Sequence, residues 1–258
     1  MVWFKCLRKG RKISLLVPYR DDGSRRSATW NWLSKYWEHE LPGANIVIGH
    51  NGHVPFCKTM AVNDAFIHSK GDVVVILDAD CYIPGAVILE AAKSIRQARR
   101  KGRKLWFVPY RHFYRLTNAA SQRVLNSNPE DPYHFSTPPA PHDTEANALR
   151  SSFGHWWGAL IQVMPREAFA LVGGMDPRFE GWGGEDVSFM HTLDTLYAHH
   201  KTVNSDVLHL WHPVTVGRNW WERKWDGQVV TGQNDTLSWR YKDAVGDPYR
   251  MKRLIEEE

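Results

Sequence analysis

The sequence predicts an α/β fold, a mixed sheet flanked by helices in a single domain, with a tryptophan-rich C-terminal extension. Three observations predict it. Val73 to Leu77 (VVVIL) is an unbroken aliphatic run of the kind that forms a strand buried on both faces. Lys12 to Tyr19 (KISLLVPY) and Asn45 to Gly49 (NIVIG) read as further strands. Helical periodicity fills the intervals, so strand, helix and strand alternate at the spacing of a right-handed parallel crossover.

Taken in order, KISLLVPY reads as the first buried strand, and Asp22-Gly23-Ser24 closes it with a turn. From Ser27 a helix follows whose Trp30, Leu33 and Trp37 share one face. Pro42-Gly43 breaks it before NIVIG. Phe56 to His68 reads as a second helix, and Gly71 leads into the VVVIL strand. Pro84 opens a third helix with the apolar stripe Val87, Ile88, Ala91, Ala92, Ile95 and Ala98. The basic run Arg96 to Lys104 complements the dipole at that helix's end. Leu105 to Pro109 is a short strand, and RHFYRLTNAASQRVLN, from Arg111, is expected to be helical. The proline-rich stretch Asn128 to Asp143 is a loop long enough to carry function, placed here over the site. His155 to Met164 is expected as a strand, Pro165 starts a short helix, and Gly173-Gly174 stops it. A helix to about His199 and a last strand, Val203 to Trp211, precede a tail carrying Trp220, Trp221, Trp225 and Trp239 among basic residues.

At 258 residues the chain can bury a sizeable core, and its 43% hydrophobic and 24% charged composition is that of a soluble globular protein. A net charge of +5 accommodates polyanionic partners without requiring them. The sequence has no apolar run long enough to span a bilayer and no signal-peptide pattern at its start. Cys6, Cys57 and Cys81 are odd in number and lack metal spacing, which points to a reducing cytoplasm.

Chemistry concentrates at two places. Asp78 and Asp80 stand at the carboxyl end of the VVVIL strand, where α/β sheets bind ligands, and two hard oxygen donors there suit a divalent cation. Carboxylates so placed also cap helices and close turns. The second place is FEGWGGEDV, Phe179 to Val187. Its glycines let the backbone pass close to a ligand, and Trp182 offers a flat face for a sugar ring. Glu185 and Asp186 open a helix, where the dipole favours carboxylates, and an ionised carboxylate beside a substrate hydroxyl is a general base. A glycine-rich turn before an acidic helix start is the plainer account of the same residues.

With these residues in view, the sequence resembles the inverting GT-A glycosyltransferases, the group of β-1,4-galactosyltransferases and family 2 enzymes. The resemblance spans about residues 13–212. It rests on VPYRD at Val17 to Asp21, FCKTMAVNDAF at Phe56 to Phe66, DAD at Asp78 to Asp80 and, most specifically, FEGWGGEDV; HLWH at His209 to His212 follows at the expected place. It implies a Rossmann-like nucleotide-sugar-binding sheet and a catalytic domain over 1–212. The nucleotide-binding half would be about 12–110 and the acceptor-side half about 111–212, with the extension 213–258 on or beside the acceptor site.

The resemblance also implies roles. Asp80, His209 and His212 would hold Mn²⁺ or Mg²⁺, and Asp78 would lie near the donor ribose or sugar. Pro18, Tyr19, Arg20 and Asp21 would line the nucleotide pocket, with Lys58, Trp182, Gly183 and Gly184 counted among the donor-binding residues. Asp186 would be the catalytic base and Glu185 would orient sugar hydroxyls. The implied reaction is metal-dependent, inverting transfer of a sugar from a UDP-sugar to a hydroxyl acceptor. A saccharide is the first expectation for that acceptor and a hydroxymethylated DNA base the second. A nucleotidyltransferase would call for a glycine-rich phosphate loop after the first strand, which VPYRDDGSRR is not, and a non-catalytic sugar- or nucleic-acid-binding module has no need of both carboxylate motifs. The chain departs from the family in the Val187 that follows Glu185-Asp186 and in His209, which stands where the galactosyltransferases have a methionine ligand.

Overall fold

The computed structural model describes residues 12–21, 23, 25–53, 56–145, 160–181, 183–212, 224, 225, 228, 229 and 233–257. In chain order the first elements are β1 (Ile13–Pro18), α1 (Arg25–Glu40), β2 (Asn45–Gly49), α2 (Lys58–His68), β3 (Val73–Leu77), β4 (Cys81–Tyr82) and α3 (Gly85–Arg100). Next come β5 (Phe107–Val108), β6 (His112–Arg115), α4 (Asn118–Leu125), β7 (Ile161–Pro165), α5 (Arg166–Leu171) and α6 (Glu185–Leu196). Then follow β8 (Lys201–Thr202), β9 (Asp206–His209), β10 (Lys224–Trp225), β11 (Gln228–Val229), α7 (Gln233–Asp243) and α8 (Pro248–Ile255).

Six strands make the main sheet in the order β2-β1-β3-β7-β5-β8. The β1–β2, β1–β3 and β5–β8 pairs are parallel, and β7 runs antiparallel to both β3 and β5. The expected α/β architecture is therefore present, with a mixed sheet whose first three strands form the parallel crossover unit. Every residue of β1 and β3 is buried, as in strands covered on both faces. Ser14, polar inside β1, donates to Asn45 Oδ1 (3.1 Å) and accepts from the Gly71 amide (2.8 Å), so its burial leaves nothing unsatisfied. α2 lies so close on β2 that a Cβ on Gly49 would fall into the Ala61 carbonyl.

α1 buries Trp30, Leu33 and Trp37 as expected, together with Trp32 and Tyr36. The polar ends of those two are paired: Tyr36 Oη donates to the Ile83 carbonyl (2.9 Å) and Trp32 Nε1 to the Ser127 carbonyl (3.0 Å). The α3 stripe is buried at Ile88, Ala91, Ala92, Ile95 and Ala98.

Two expectations need correction. The segment from Arg111 is not a single helix: His112 to Arg115 is strand β6, and α4 begins only after Thr117, whose Oγ1 accepts from the Ala120 amide (3.2 Å). Aromatic residues at 113 and 114 fit a strand, and β9 supplies the parallel partner from nearly a hundred positions away. The last strand, expected over 203–211, is shorter, β9 (Asp206–His209), and a separate two-residue strand, β8 (Lys201–Thr202), precedes it. β8 joins the main sheet, whereas β9 lies between β4 and β6 in a separate three-stranded sheet. The 128–143 loop is tied down on α4, where Arg123 pairs with Asp143 and sits over the Tyr133 and Phe135 rings.

Of the tail, Trp220 and Trp221 lie outside the described residues, and Trp239 is exposed. Its helices are held by other residues. Leu237, Tyr241, Ala244, Met251 and Leu254 form a second, smaller core around Phe179. Cys57 and Cys81 are buried free thiols.

Candidate active site

Parallel strands β2, β1 and β3 end side by side at Gly49, Pro18 and Leu77, and the crevice above them collects the predicted residues. Pro18 is buried at the end of β1, and Tyr19 packs against Trp30 with ring centroids 5.8 Å apart. Arg20 reaches across to the end of β2, donating to the carbonyls of Asn51 (2.8 Å) and His53 (2.7 Å). Asp21 accepts from the Gly23 amide (3.0 Å) and from Ser27 Oγ, which closes the turn into α1.

Lys58, the first residue of α2, occupies the centre. Its Nζ lies 2.6 Å from Asp78 Oδ1 and 2.8 Å from both carboxylate oxygens of Asp186. Burial opposes charge on Lys58, but Asp186, Asp78 and Glu185 around it raise its pKa well above the ordinary lysine value. One ammonium does not balance the carboxylates gathered here. Burial pushes Asp186 up to about 8, with Lys58 pulling it down and Glu185 adding to the rise. Burial likewise pushes Asp78 up to about 6, against Lys58 and with Asp80. Gln162 Nε2, from β7, holds the Asp186 carbonyl (3.2 Å). Tyr110 is buried among the same groups, and burial together with Asp186 keeps its hydroxyl protonated.

The second cluster is Asp80, His209 and His212, whose ligand-type atoms lie within 4.8 Å of one another. The small sheet builds it: Cys81 pairs with His209 in register, and the Leu210 amide donates to the Asp80 carbonyl (2.7 Å). His209 Nε2 is 3.5 Å from Asp80 Oδ1 and His212 Nε2 is 3.4 Å from Asp80 Oδ2. These separations are long for hydrogen bonds and suit neighbouring donors around one cation with bonds of roughly 2.0–2.2 Å. Asp80 Oδ1 is buried without a hydrogen-bond partner, which a cation would supply. Burial lowers His209 to about 4, so its imidazole is neutral and able to ligate at ordinary pH. Burial works against the Asp80 charge, but His209, His212 and Arg26 outweigh it and hold the carboxyl below its usual range. The residues present therefore fit a divalent metal.

The turn before α6 places the remaining carboxylates. Gly181, Gly183 and Gly184 adopt φ of 70°, 114° and 90°, a path closed to other residues without strain. Glu185 is buried and turned back on its own loop, its Oε2 accepting from the Gly183 amide (2.8 Å). Trp182, placed by sequence among the donor-binding residues, lies outside the described residues. Leu160, φ 69°, aims its carbonyl at the Asp78 amide (2.9 Å).

The structure brings together Asp78, Asp80, Lys58, Asp186, His209 and His212, each named from the sequence as a candidate. Sequence reasoning missed Gln162, Tyr110, Arg26 and Arg115. Tyr110 could have been found, since it follows a strand at the ligand-binding end. Arg115 and Glu145 line a hollow with His209, Trp211 and His212, and they arrive by long-range pairing that no local pattern announces.

Over part of the chain, one family model agrees with the resemblance. A family model described as the N-terminal domain of galactosyltransferase matches residues 143–204, which include the turn and α6. No curated protein matches in sequence. Among solved structures, the Drosophila β1,4-galactosyltransferase 7 catalytic domain in complex with xylobiose is 17% identical, with a TM-score of 0.42 over 87% of this chain and 78% of that one. A mutant of the same enzyme in complex with manganese, UDP-Gal and xylobiose is 16% identical, with a TM-score of 0.41 over 88% and 79%. S. aureus TarS is 12% identical, with a TM-score of 0.44 over 77% of this chain and 60% of that one. Among the described residues no helix is long and apolar enough to cross a membrane.

Proposed function

We propose that this chain is an inverting glycosyltransferase that moves a sugar from a UDP-sugar to the hydroxyl of a saccharide. One observation carries the reading. Lys58 Nζ touches Asp78 (2.6 Å) and Asp186 (2.8 Å), so the strand-end carboxylates and the carboxylate of the glycine turn share one crevice. A metal site without a base beside it, or a base without a metal site, would not argue for group transfer from a diphosphate.

The roles follow from position. Asp80, His209 and His212 would hold the divalent cation, Mn²⁺ or Mg²⁺, which when bound supplies Lewis-acid neutralisation of the diphosphate. Pro18, Tyr19 and Arg20 form the wall where the nucleotide would lie, a placement supported by the resemblance of Val17 to Asp21 to the family's nucleotide segment. Asp186 takes the proton of the acceptor hydroxyl as that oxygen bonds to the anomeric carbon. The bond from that carbon to the diphosphate oxygen breaks in the same step, the nucleoside diphosphate leaves with the electron pair, and the anomeric configuration inverts. Lys58 works against the burial that raises Asp186 and so favours its ionised, proton-accepting form.

The test is release of nucleoside diphosphate from a panel of nucleotide sugars with Mn²⁺, with and without saccharide acceptors. Acceptor-stimulated release that disappears in Asp186→Asn is the expected result. Absence of release with every sugar nucleotide would overturn the reading, and transfer only to hydroxymethylated DNA would overturn its acceptor.

A further inference from the structure

We propose that the C-terminal extension is a positioning element for the catalytic turn, with Asn234 and Ser238 of α7 holding Glu180 and Gly184 so that Asp186 is presented to the crevice. This rests on the glycosyltransferase reading for its catalytic consequence only.

Within the turn Glu185 holds the Gly183 amide (2.8 Å), and the two ends of the turn are held from outside. Three of its residues, Gly181, Gly183 and Gly184, are glycines at positive φ, and glycine backbone loses more freedom on ordering than any other. An irregular segment also leaves its peptide groups to be satisfied from outside. Asn234 does this at the entry to the turn. It is 6% exposed; its Nδ2 donates to the Glu180 carbonyl (2.8 Å) and its Oδ1 accepts from the Glu180 amide (3.3 Å). Both peptide groups of one loop residue thus end on one side chain. One helical turn later Ser238 meets the exit. Its Oγ donates to the Asn234 carbonyl (2.7 Å) and occupies the place where a Cβ on Gly184 would project. α7 therefore touches both ends of the glycine segment.

The helix is itself anchored to the chain just before the turn. Tyr241 Oη donates to Asp176 Oδ2 (2.7 Å), and Arg178 bridges Asp176 (2.7 Å) and the Leu254 carbonyl (2.6 Å). Phe179 is buried in the core that α7 and α8 share. Met251 of α8 meets Thr192 on α6 (3.6 Å), so the extension grips the turn's approach and the helix it opens. Catalysis is sensitive to misplacement of a base on this scale, and a shift of about 1 Å is enough to cost a large factor in rate.

The test uses the full chain. Asn234→Ala removes both bonds to Glu180, and Asn234→Asp keeps only the acceptor for its amide. Hydrogen exchange of the amides from Glu180 to Glu185 is expected to accelerate by about tenfold or more in the first variant and by less in the second, with the β1–β3 amides unchanged. Turnover is expected to fall by about tenfold with Mn²⁺-dependent UDP binding held within about twofold, a split that mere unfolding would not give. Unchanged exchange at 180–185, or acceleration spread evenly over the sheet, overturns the proposal. Should the Asn234 variants not fold, Ser238→Ala serves, since alanine keeps α7 intact. Faster exchange at Gly183 and Gly184 is then expected, and none overturns the proposal. Exchange needs no substrate: local acceleration in a chain that transfers no sugar would sink the functional reading and leave the positioning of the turn standing.

Discussion

The ammonium of Lys58 lies 2.8 Å from the carboxylate of Asp186, although the two residues are 128 positions apart in the chain. The same nitrogen is 2.6 Å from Asp78, so one lysine joins the end of β3 to the start of α6. Burial would otherwise drive both carboxylates towards their neutral forms, and Asp186 already stands near 8 with Lys58 in place.

A proton acceptor must be ionised, so the pH profile follows with its sign. kcat/KM is expected to rise with pH and level off above about 8. Lys58→Met removes the charge that pulls Asp186 down, which raises its pKa further. The rising limb should move to higher pH by about one unit or more, with lower turnover at pH 7. A limb that stays in place would show that Lys58 does not act on the titrating base.

Asp186→Asn keeps the shape of the side chain and discards its basicity. Transfer is expected to fall by about 1,000-fold, within the range for loss of a general base. Mn²⁺-dependent binding of UDP, measured by calorimetry, should survive, because Asp80, His209 and His212 are untouched.

Asp80→Ala takes away the carboxylate on which both histidines converge, at 3.5 and 3.4 Å. Mn²⁺ affinity is expected to drop by about 100-fold or more, and UDP binding should lose its dependence on metal. His212→Ala should act in the same direction. Unaltered metal affinity in either variant would move the site elsewhere.

His209 gives a stability prediction. Its folded pKa, about 4, lies below the unfolded value near 6.5, so the folded chain binds fewer protons between these limits. Its contribution is complete above pH 6.5 and is lost as pH falls through about 4, on the order of a few kcal/mol in all. Asp78 and Asp186, raised in the fold, act with the opposite sign over their own ranges. Urea unfolding of the native chain and of His209→Gln from pH 7 to pH 4 should therefore give a shallower acid decline in the variant.

Gly184 combines a φ of 90° with a neighbour on the site of its missing Cβ, Ser238 Oγ. Gly184→Ala is expected to cost about 1–3 kcal/mol from left-handed strain and overpacking together. Adding Ser238→Gly should recover the overpacking share and leave the strain. Strict additivity of the two changes in thermal unfolding would deny the contact.

Much of this was legible before any coordinates. Val73 to Leu77, an unbroken aliphatic run, and the mostly aliphatic Ile13 to Val17 read as strands buried on both faces, being too short for a typical helix and rich in β-branched residues. The stripe on α3 and the tryptophan face of α1 follow from a period of 3.6 residues. Asp78 and Asp80 were identifiable as strand-end carboxylates, and Glu185 and Asp186 as the acidic opening of a helix. Each of these is a local signal, carried within about one turn or one strand.

What depends on segments far apart was decided only in three dimensions. No sequence pattern says that His112 to Arg115 leaves the helical register to pair with β9, or that β9 leaves the main sheet and brings His209 opposite Cys81. Lys58 could be counted with the donor-binding residues, but its place between Asp78 and Asp186 is a result of packing. The tail is rich in tryptophan, yet Asn234, Ser238 and Tyr241 are what its helix brings to the turn and to the chain before it. The physical reason is the same throughout. Periodicity and propensity report which face of an element avoids water, whereas long-range hydrogen bonds and buried charge pairs exist only once two such faces have met.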